Sequence, residues 1–326
     1  MRTDSSPSLL PGLLLVGAVA VPGGLLGQRF PLLGGAVIGL LLGLVCRGLL
    51  KPGDQSKPGI QFASKQLLQY SIVALGFSLP LHQVARTGLH SLPVSLVTLS
   101  VAFLVAIVAG RLLRVSSKLK ILIGAGTAIC GGSAIAAITP IVKPEDHDFT
   151  YALSTIFLFN IVAVMLFPAL GRLFGMSDSG FGLWAGTAIN DTSSVIAAGY
   201  AWNQAAGEYA TIVKLTRAMM IVPVTLVIGW IYQRRTPGTS ARGSIPWFIV
   251  LFVLASAINE WLPPALTEAI RQFAPVPAIG ALTAIGLNTD LAKLRRAGWR
   301  PMLLGLAVWI SVVVSSLLMQ QVTGAM

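Results

Sequence analysis

The chain has 326 residues, 55% hydrophobic and 10% charged, with a mean hydropathy of +0.80. Soluble domains carry about a quarter charged residues, so a water-soluble protein is excluded, and the lack of alternating ten-residue strands argues against a membrane β-barrel. The net charge of +12 comes from basic residues divided among short loops, so it calls for no nucleic-acid partner.

Crossing the hydrocarbon core takes about 20 mostly apolar residues. In chain order the apolar runs are 9–28, 30–46, 59–79, 89–110, 119–142, 149–171, 181–203, 209–232, 245–262, 270–288 and 301–321. They predict an all-α membrane protein with about 11 transmembrane helices, or 10 without the weakest, as one polytopic domain over 1–326. The weakest is 270–288, where Arg271, Pro275 and Pro277 leave only a clean half-span. Polar Met1–Ser8 and the run after it read as a first span, because no small-x-small site marks a cleaved signal.

Alternate connections carry most of the positive charge: Arg47, Lys51 and Lys57; Arg111, Arg114, Lys118 and Lys120; Arg172; Arg234, Arg235 and Arg242; Lys293, Arg295, Arg296 and Arg300. The intervening connections hold only Arg29, Arg86 and Lys143. The positive-inside rule then predicts a cytoplasmic N-terminus and an external C-terminus.

Lys65 lies inside the third segment. The fifth contains GTAICGGSAIAA (126–137) and the seventh GTAINDTSSVIAA (186–198). Lipid offers no partner to a freed backbone group, so such stretches survive only against protein or water, and paired interrupted segments point to a transporter site. In the first, Cys130-Gly131-Gly132-Ser133 reads as a helix break, after which a half-helix aims its N–H groups at an anion. Close packing through small residues is the other reading, with Cys130 a small apolar filler. In the second, Asp191 is the carboxylate well inside a span, expensive to bury and a sign of an ion path or a paired site. Its neighbours Asn190, Thr192, Ser193 and Ser194 could converge on one ligand if unwound, or serve helix packing.

The eighth segment carries Lys214 and Arg217 one turn apart. They suit an anionic substrate, a salt bridge to Asp191, or snorkelling to headgroups; Lys65 reads as their symmetry mate at the anion site or as snorkelling. Asn160 reads as a helix–helix hydrogen bond. Trp184, Trp202, Trp230, Trp247, Trp261 and Trp299 read as interfacial anchors.

Two alignments suggest an inverted repeat: one pairs Gly76 with Gly286 and Arg86 with Arg296, the other pairs Lys65 with Lys214. By the span count, the two GTAI segments run in the same direction, so their likeness is local and no evidence of inversion. No phosphate loop, catalytic triad or His/Glu metal pair is present, and Cys46 and Cys130 suggest no disulfide. An enzyme, a cofactor and a metal are not expected.

The stretches KPGIQFASKQLLQYSIVALGFSL (57–79), IGAGTAICGGSAIAAITPIVK (123–143), FGLWAGTAINDTSSVIAAGYAW (181–202), YATIVKLTRAMMIVPVTLVI (209–228) and AIGLNTDLAKLRRAGWRP (284–301) resemble the YeiH-like membrane proteins, named as sulfate exporters. The resemblance covers nearly the whole chain. It implies a multi-pass bacterial inner-membrane protein distantly similar to transporters with crossed, interrupted helices. The family pattern often has His where Asn190 stands, beside an acid at the place of Asp191. Asn190 cannot titrate, which leaves Asp191 to couple.

These readings lead to a secondary transporter of a small anion, working by alternating access. Thr127, Cys130, Gly131, Gly132, Ser133, Asn190, Thr192, Ser193, Ser194, Lys214, Arg217 and Lys65 are the substrate-binding candidates, and Asp191 the site for a coupling H⁺ or Na⁺. The lipid bilayer is the surrounding partner, and a homodimer is allowed. A cation/proton antiporter centred on Asp191, and a passive channel or regulatory membrane subunit, are the alternatives.

Overall fold

The computed structural model describes residues 8–30, 34–50, 52–233, 247–273, 276–289 and 298–324. These residues form helices and no strand. Among the described residues, six helices are long and apolar enough to cross a membrane: Leu10–Arg29, Leu81–Leu112, His147–Leu173, Gln204–Tyr232, Pro264–Asn288 and Trp299–Thr323. Shorter apolar helices accompany them. The chain is an all-α, multi-pass membrane protein, and its helices fall where the apolar runs place them.

The chain divides into two compact units. The first contains α1 (Leu10–Arg29), α2 (Gly34–Leu50), α3 (Lys57–Phe62) and α4 (Leu68–Gly76), with Ala63–Leu67 between the last two wound as one π-helical turn. It also holds α13 (Trp247–Ile258), α14 (Pro264–Phe273) and α15 (Val276–Asn288). Small residues set the packing: a Cβ on Gly286 would strike the Leu40 carbonyl, so α15 and α2 touch backbone to backbone. Ser256 and Asn259 donate to the Leu79 and Phe77 carbonyls, closing the polar end of α4. Lys65 sits on the π turn and is exposed. Of the expected segment 270–288, the first four residues belong to the amphipathic α14 and the rest, from Val276, to α15. Leu266 and Phe273 on one side are exposed, and Glu268 pairs with Arg271 on the other.

The second unit contains most of α5 (Leu81–Leu112), then α6 (Ser117–Ala128), α7 (Gly132–Val142), α8 (Asp146–Leu173), α9 (Asp178–Ala188), α10 (Thr192–Trp202) up to Gly199, α11 (Gln204–Met219), α12 (Ile221–Gln233) and α16 (Trp299–Thr323). The helix breaks fall where the Gly- and Ser-rich motifs place them, but the chain does not carry on across. Lys118, at the start of α6, donates to the Lys143 carbonyl at the end of α7 (2.7 Å). Ser116, which caps α6, bonds Asp148 in the first turn of α8 (2.9 Å). Thus α6 and α7 fold back as a re-entrant hairpin. Asn203 Nδ2 likewise donates to Asp178 Oδ1 (2.7 Å), joining the end of α10 to the start of α9 as a second hairpin.

This corrects the expectation that 119–142 and 181–203 run across in one direction. The bases of the hairpins lie at opposite ends of α8, whose 28 residues extend about 42 Å. The hairpins therefore enter from opposite sides. Each half-helix, of 11 or 12 residues, is about 17 Å long, and this carries its tip to the middle of a core about 30 Å thick. A hairpin plus one span reverses orientation each time, so α6–α7–α8 and α9–α10–α11 form an inverted pair. The GTAI likeness belongs to that pair. For the other alignments, Arg296 lies outside the described residues, and Lys65 is exposed where Lys214 is fully buried.

Candidate functional site

A helix that ends leaves its last carbonyls without partners, and in a membrane interior no water supplies them. At the end of α6 these groups can be followed one by one. Ala125 O accepts from Ile129 N, and Gly126 O from Gly131 N at 2.8 Å. Gly131 has φ +68°, a conformation that favours glycine and closes the turn. Thr127 O and Ala128 O accept from Arg217 Nη2 and Nε at 3.0 and 2.5 Å. Ile129 O accepts from Lys214 Nζ at 2.8 Å.

The end of α9 uses the same lysine. Lys214 Nζ donates to Ile189 O at 2.9 Å, and Trp309 Nε1 on α16 donates to Ala188 O at 3.1 Å. One ammonium therefore joins the two hairpin tips. Both cations are fully buried, and each faces the negative end of a helix dipole. Neither snorkels. Close packing brings the lysine there: Cβ atoms on Gly182 and Gly186 of α9 would strike Tyr209 and Val213 of α11. This Gly-x-x-x-Gly face lets α11 lie against α9 with Lys214 level with its last carbonyl.

The N-terminal halves differ. Asp191 caps α10, its carboxylate accepting from Ser193 N at 3.0 Å and from the Ser193 hydroxyl. Its own N–H donates to Asn160 Oδ1 on α8 (3.2 Å), the helix–helix role expected of Asn160. Asp191 is half-buried and lies against Gly131; a Cβ there would sit 3.3 Å from the Asp191 Cβ. The start of α7 has Gly131 as its cap residue, which has no side chain, and the Cys130 sulfur faces the Ala134 N–H. Gly132 is half-buried and Ser133 exposed, so this positive helix end is open.

The structure thus gathers Thr127, Cys130, Gly131, Asn190, Asp191, Ser193, Lys214 and Arg217 at the meeting tips, with Gly132, Ser133, Thr192 and Ser194 in the first turns beyond. Lys65 belongs to the other unit. Within the tips, Thr127 Oγ1, both amide atoms of Asn190 and Arg217 Nη1 are buried without a hydrogen-bond partner. Sequence reasoning missed Trp309, whose indole points inward, and Glu208, which is buried on α11 and accepts from Gln204. A carboxylate standing directly before the apolar run 209–232 was the available signal for the second. Trp184 is no interfacial anchor: it is fully buried and stacks on Phe167 at 4.1 Å.

Comparison with known proteins agrees with a membrane protein. The family model "Conserved hypothetical protein 698" matches residues 11–305. A UPF0324 membrane protein of Streptococcus agalactiae is 40% identical over 97% of this chain and 98% of its own length. One from Streptococcus pyogenes is 41% identical over 95% and 96%, and one from Fusobacterium nucleatum 39% over 97% and 98%. No solved structure matches the chain. With that coverage and identity, the chain belongs to the UPF0324 family of membrane proteins, described as conserved hypothetical protein 698.

Proposed function

We propose that this protein is a secondary transporter of a small anion, sulfate or a related oxyanion, with its site at the meeting tips. One observation carries the reading: two re-entrant hairpins enter from opposite sides and meet beside an uncapped helix N-terminus and a half-buried carboxylate. With Ala134 N–H turned to the Cys130 sulfur, the N–H groups of Gly132 and Ser133 and about half a positive charge remain for an anion. Opposed hairpins give each side of the membrane its own gate over one site. In this reading the substrate rests on Gly132 and Ser133 at the start of α7, facing Asp191 across the Gly131 turn. Asp191 binds the coupling H⁺ or Na⁺, and its negative charge is lowered by that ion when the anion enters. Lys214 and Arg217 keep the two negative helix ends neutral; in this role they shape the site, and their donors go to carbonyls. The protein would work in a bacterial inner membrane with its N-terminus in the cytoplasm and its C-terminus outside.

The test is flux of labelled sulfate or sulfite into proteoliposomes under imposed proton and sodium gradients. Asp191→Asn should uncouple flux from the gradient, and Ser133→Leu should lower anion flux. Normal coupled flux in both variants would remove the site. A second reading, a cation/proton antiporter, is favoured by Asp191 being the carboxylate at the tips; cation-dependent proton flux indifferent to anions would establish it instead.

A further inference from the structure

Lys214 holds two carbonyls that belong to different gates, Ile129 O on the first hairpin and Ile189 O on the second. Both tips are thereby fastened to one ammonium that no solvent reaches. Opening either gate has to break one of these bonds, and a freed carbonyl in an apolar interior is expensive. The structure also contains a donor with nothing to do. Arg217 spends Nε on Ala128 O and Nη2 on Thr127 O, while Nη1 is buried and unpartnered. The next carbonyl along the chain is that of Ile129. Buried unsatisfied donors are rare enough to need a reason.

We propose that Lys214 is the tie that keeps both hairpin tips closed, and that Arg217 Nη1 is the spare donor that takes over Ile129 O when Lys214 lets go. The handover leaves the first hairpin with its carbonyls satisfied. Lys214 stays on Ile189 O, and the two tips are free to part. Lys214 and Arg217 are positioning residues here, acting through the backbone of the tips. The proposal rests on the transport reading for its purpose but not for its test.

The tip carries its own reporter. Cys130 lies between Ile129 and Gly131 and is 3% exposed. The free cysteines are Cys46 and Cys130, so full-length protein with Cys46→Ser presents the Cys130 thiol alone. The experiment is the rate of N-ethylmaleimide labelling of this protein in liposomes, with size-exclusion profiles to confirm that each variant is folded. Lys214→Met should label at least about tenfold faster, the effect of removing charge-assisted hydrogen bonds from a local opening. Lys214→Arg, which can fork to both carbonyls, should return to within about twofold of the parent. Arg217→Lys also weakens the hold on the Thr127 and Ala128 carbonyls, so alone it should label a few-fold faster than the parent, and combined with Lys214→Met it should exceed the product of the two single effects. Equal rates for Lys214→Met and the parent, or no rescue by Lys214→Arg, would overturn the tie. Simple additivity in the double variant would overturn the handover. If Lys214→Met does not fold, Lys214→Gln takes its place under the same criteria. Labelling is read without flux, so a protein that moves no anion sinks the transport reading alone.

Discussion

The two hairpin tips begin with the same four residues, Gly-Thr-Ala-Ile, and end differently. The first turns through Gly131 at φ +68° and starts its second helix without a cap. The second passes through Ile189 and Asp191 in extended conformations and starts its helix with a carboxylate. Their threonines differ too. Thr187 Oγ1 bonds Leu183 O and the Ser316 hydroxyl, while Thr127 Oγ1 has no partner. One tip supplies its own anion and is pinned to α16; the other leaves its positive end open. A repeated motif thus keeps the C-terminal half common, where Lys214 must reach both carbonyls, and varies the half that meets a ligand.

Substitutions at matched positions can break this comparison. The largest expected difference is at the glycines. A Cβ on Gly186 falls 2.7 Å from Val213 Cβ and 2.9 Å from the Ala210 carbonyl, whereas on Gly126 it meets only side-chain atoms of Ile135 and Ile156 at 3.0–3.1 Å. Gly186→Ala should lower stability by about 3 kcal/mol and Gly126→Ala by about 1 or less, read as detergent-solubilised unfolding midpoints. Equal shifts would mean that α11 does not seat on α9 as described. Next, Gly131→Ala should destabilise by about 2 kcal/mol because its φ is strained for any side chain, measured by denaturation at fixed detergent concentration. Trp309→Phe should remove one donor from Ala188 O and lower stability by about 1 kcal/mol, with the unfolding curve otherwise unchanged in shape. The smallest and sharpest contrast is in the threonines. Thr187→Val should cost about 0.6 kcal/mol, a typical interhelical hydrogen bond in a membrane, while Thr127→Val should be neutral or slightly stabilising. A loss at Thr127 as large as at Thr187 would show that the two tips are equivalent after all.

Much of this was legible in the residues. Hydrophobic runs located the helices. The glycine and hydroxyl clusters located both breaks, because a polar interruption of an apolar run survives at membrane depth only against protein or water. The direction after each break was not legible. A run of about 24 apolar residues has the same composition whether it continues across or folds back, since two half-helices fill the same length. The deciding contacts are Lys118 with Lys143 and Asp178 with Asn203, each joining chain positions about 25 residues apart. The targets of Lys214 and Arg217 were hidden for a similar reason. Their charge and shared face are visible in sequence, but the carbonyls they serve are backbone atoms, which every residue has and no pattern marks. Trp184 shows the reverse error: its place near a segment end suggested an interface, and stacking on Phe167 decided otherwise.

The length of chain between donors and carbonyls also sets an order of assembly. Thr127, Ala128 and Ile129 precede their partners Lys214 and Arg217 by 85 to 90 residues, whereas Ile189 precedes Lys214 by only 25. At synthesis rates of about 5–20 residues per second, the first hairpin waits about 4–18 seconds for its donors. During that interval its tip has no place in hydrocarbon. The second hairpin gains its Lys214 bond with α11 close behind, but its Ala188 carbonyl waits 121 residues for Trp309 on α16. The hairpin made first therefore waits longest for α11, while the hairpin made second is tied by α11 and completed only by α16.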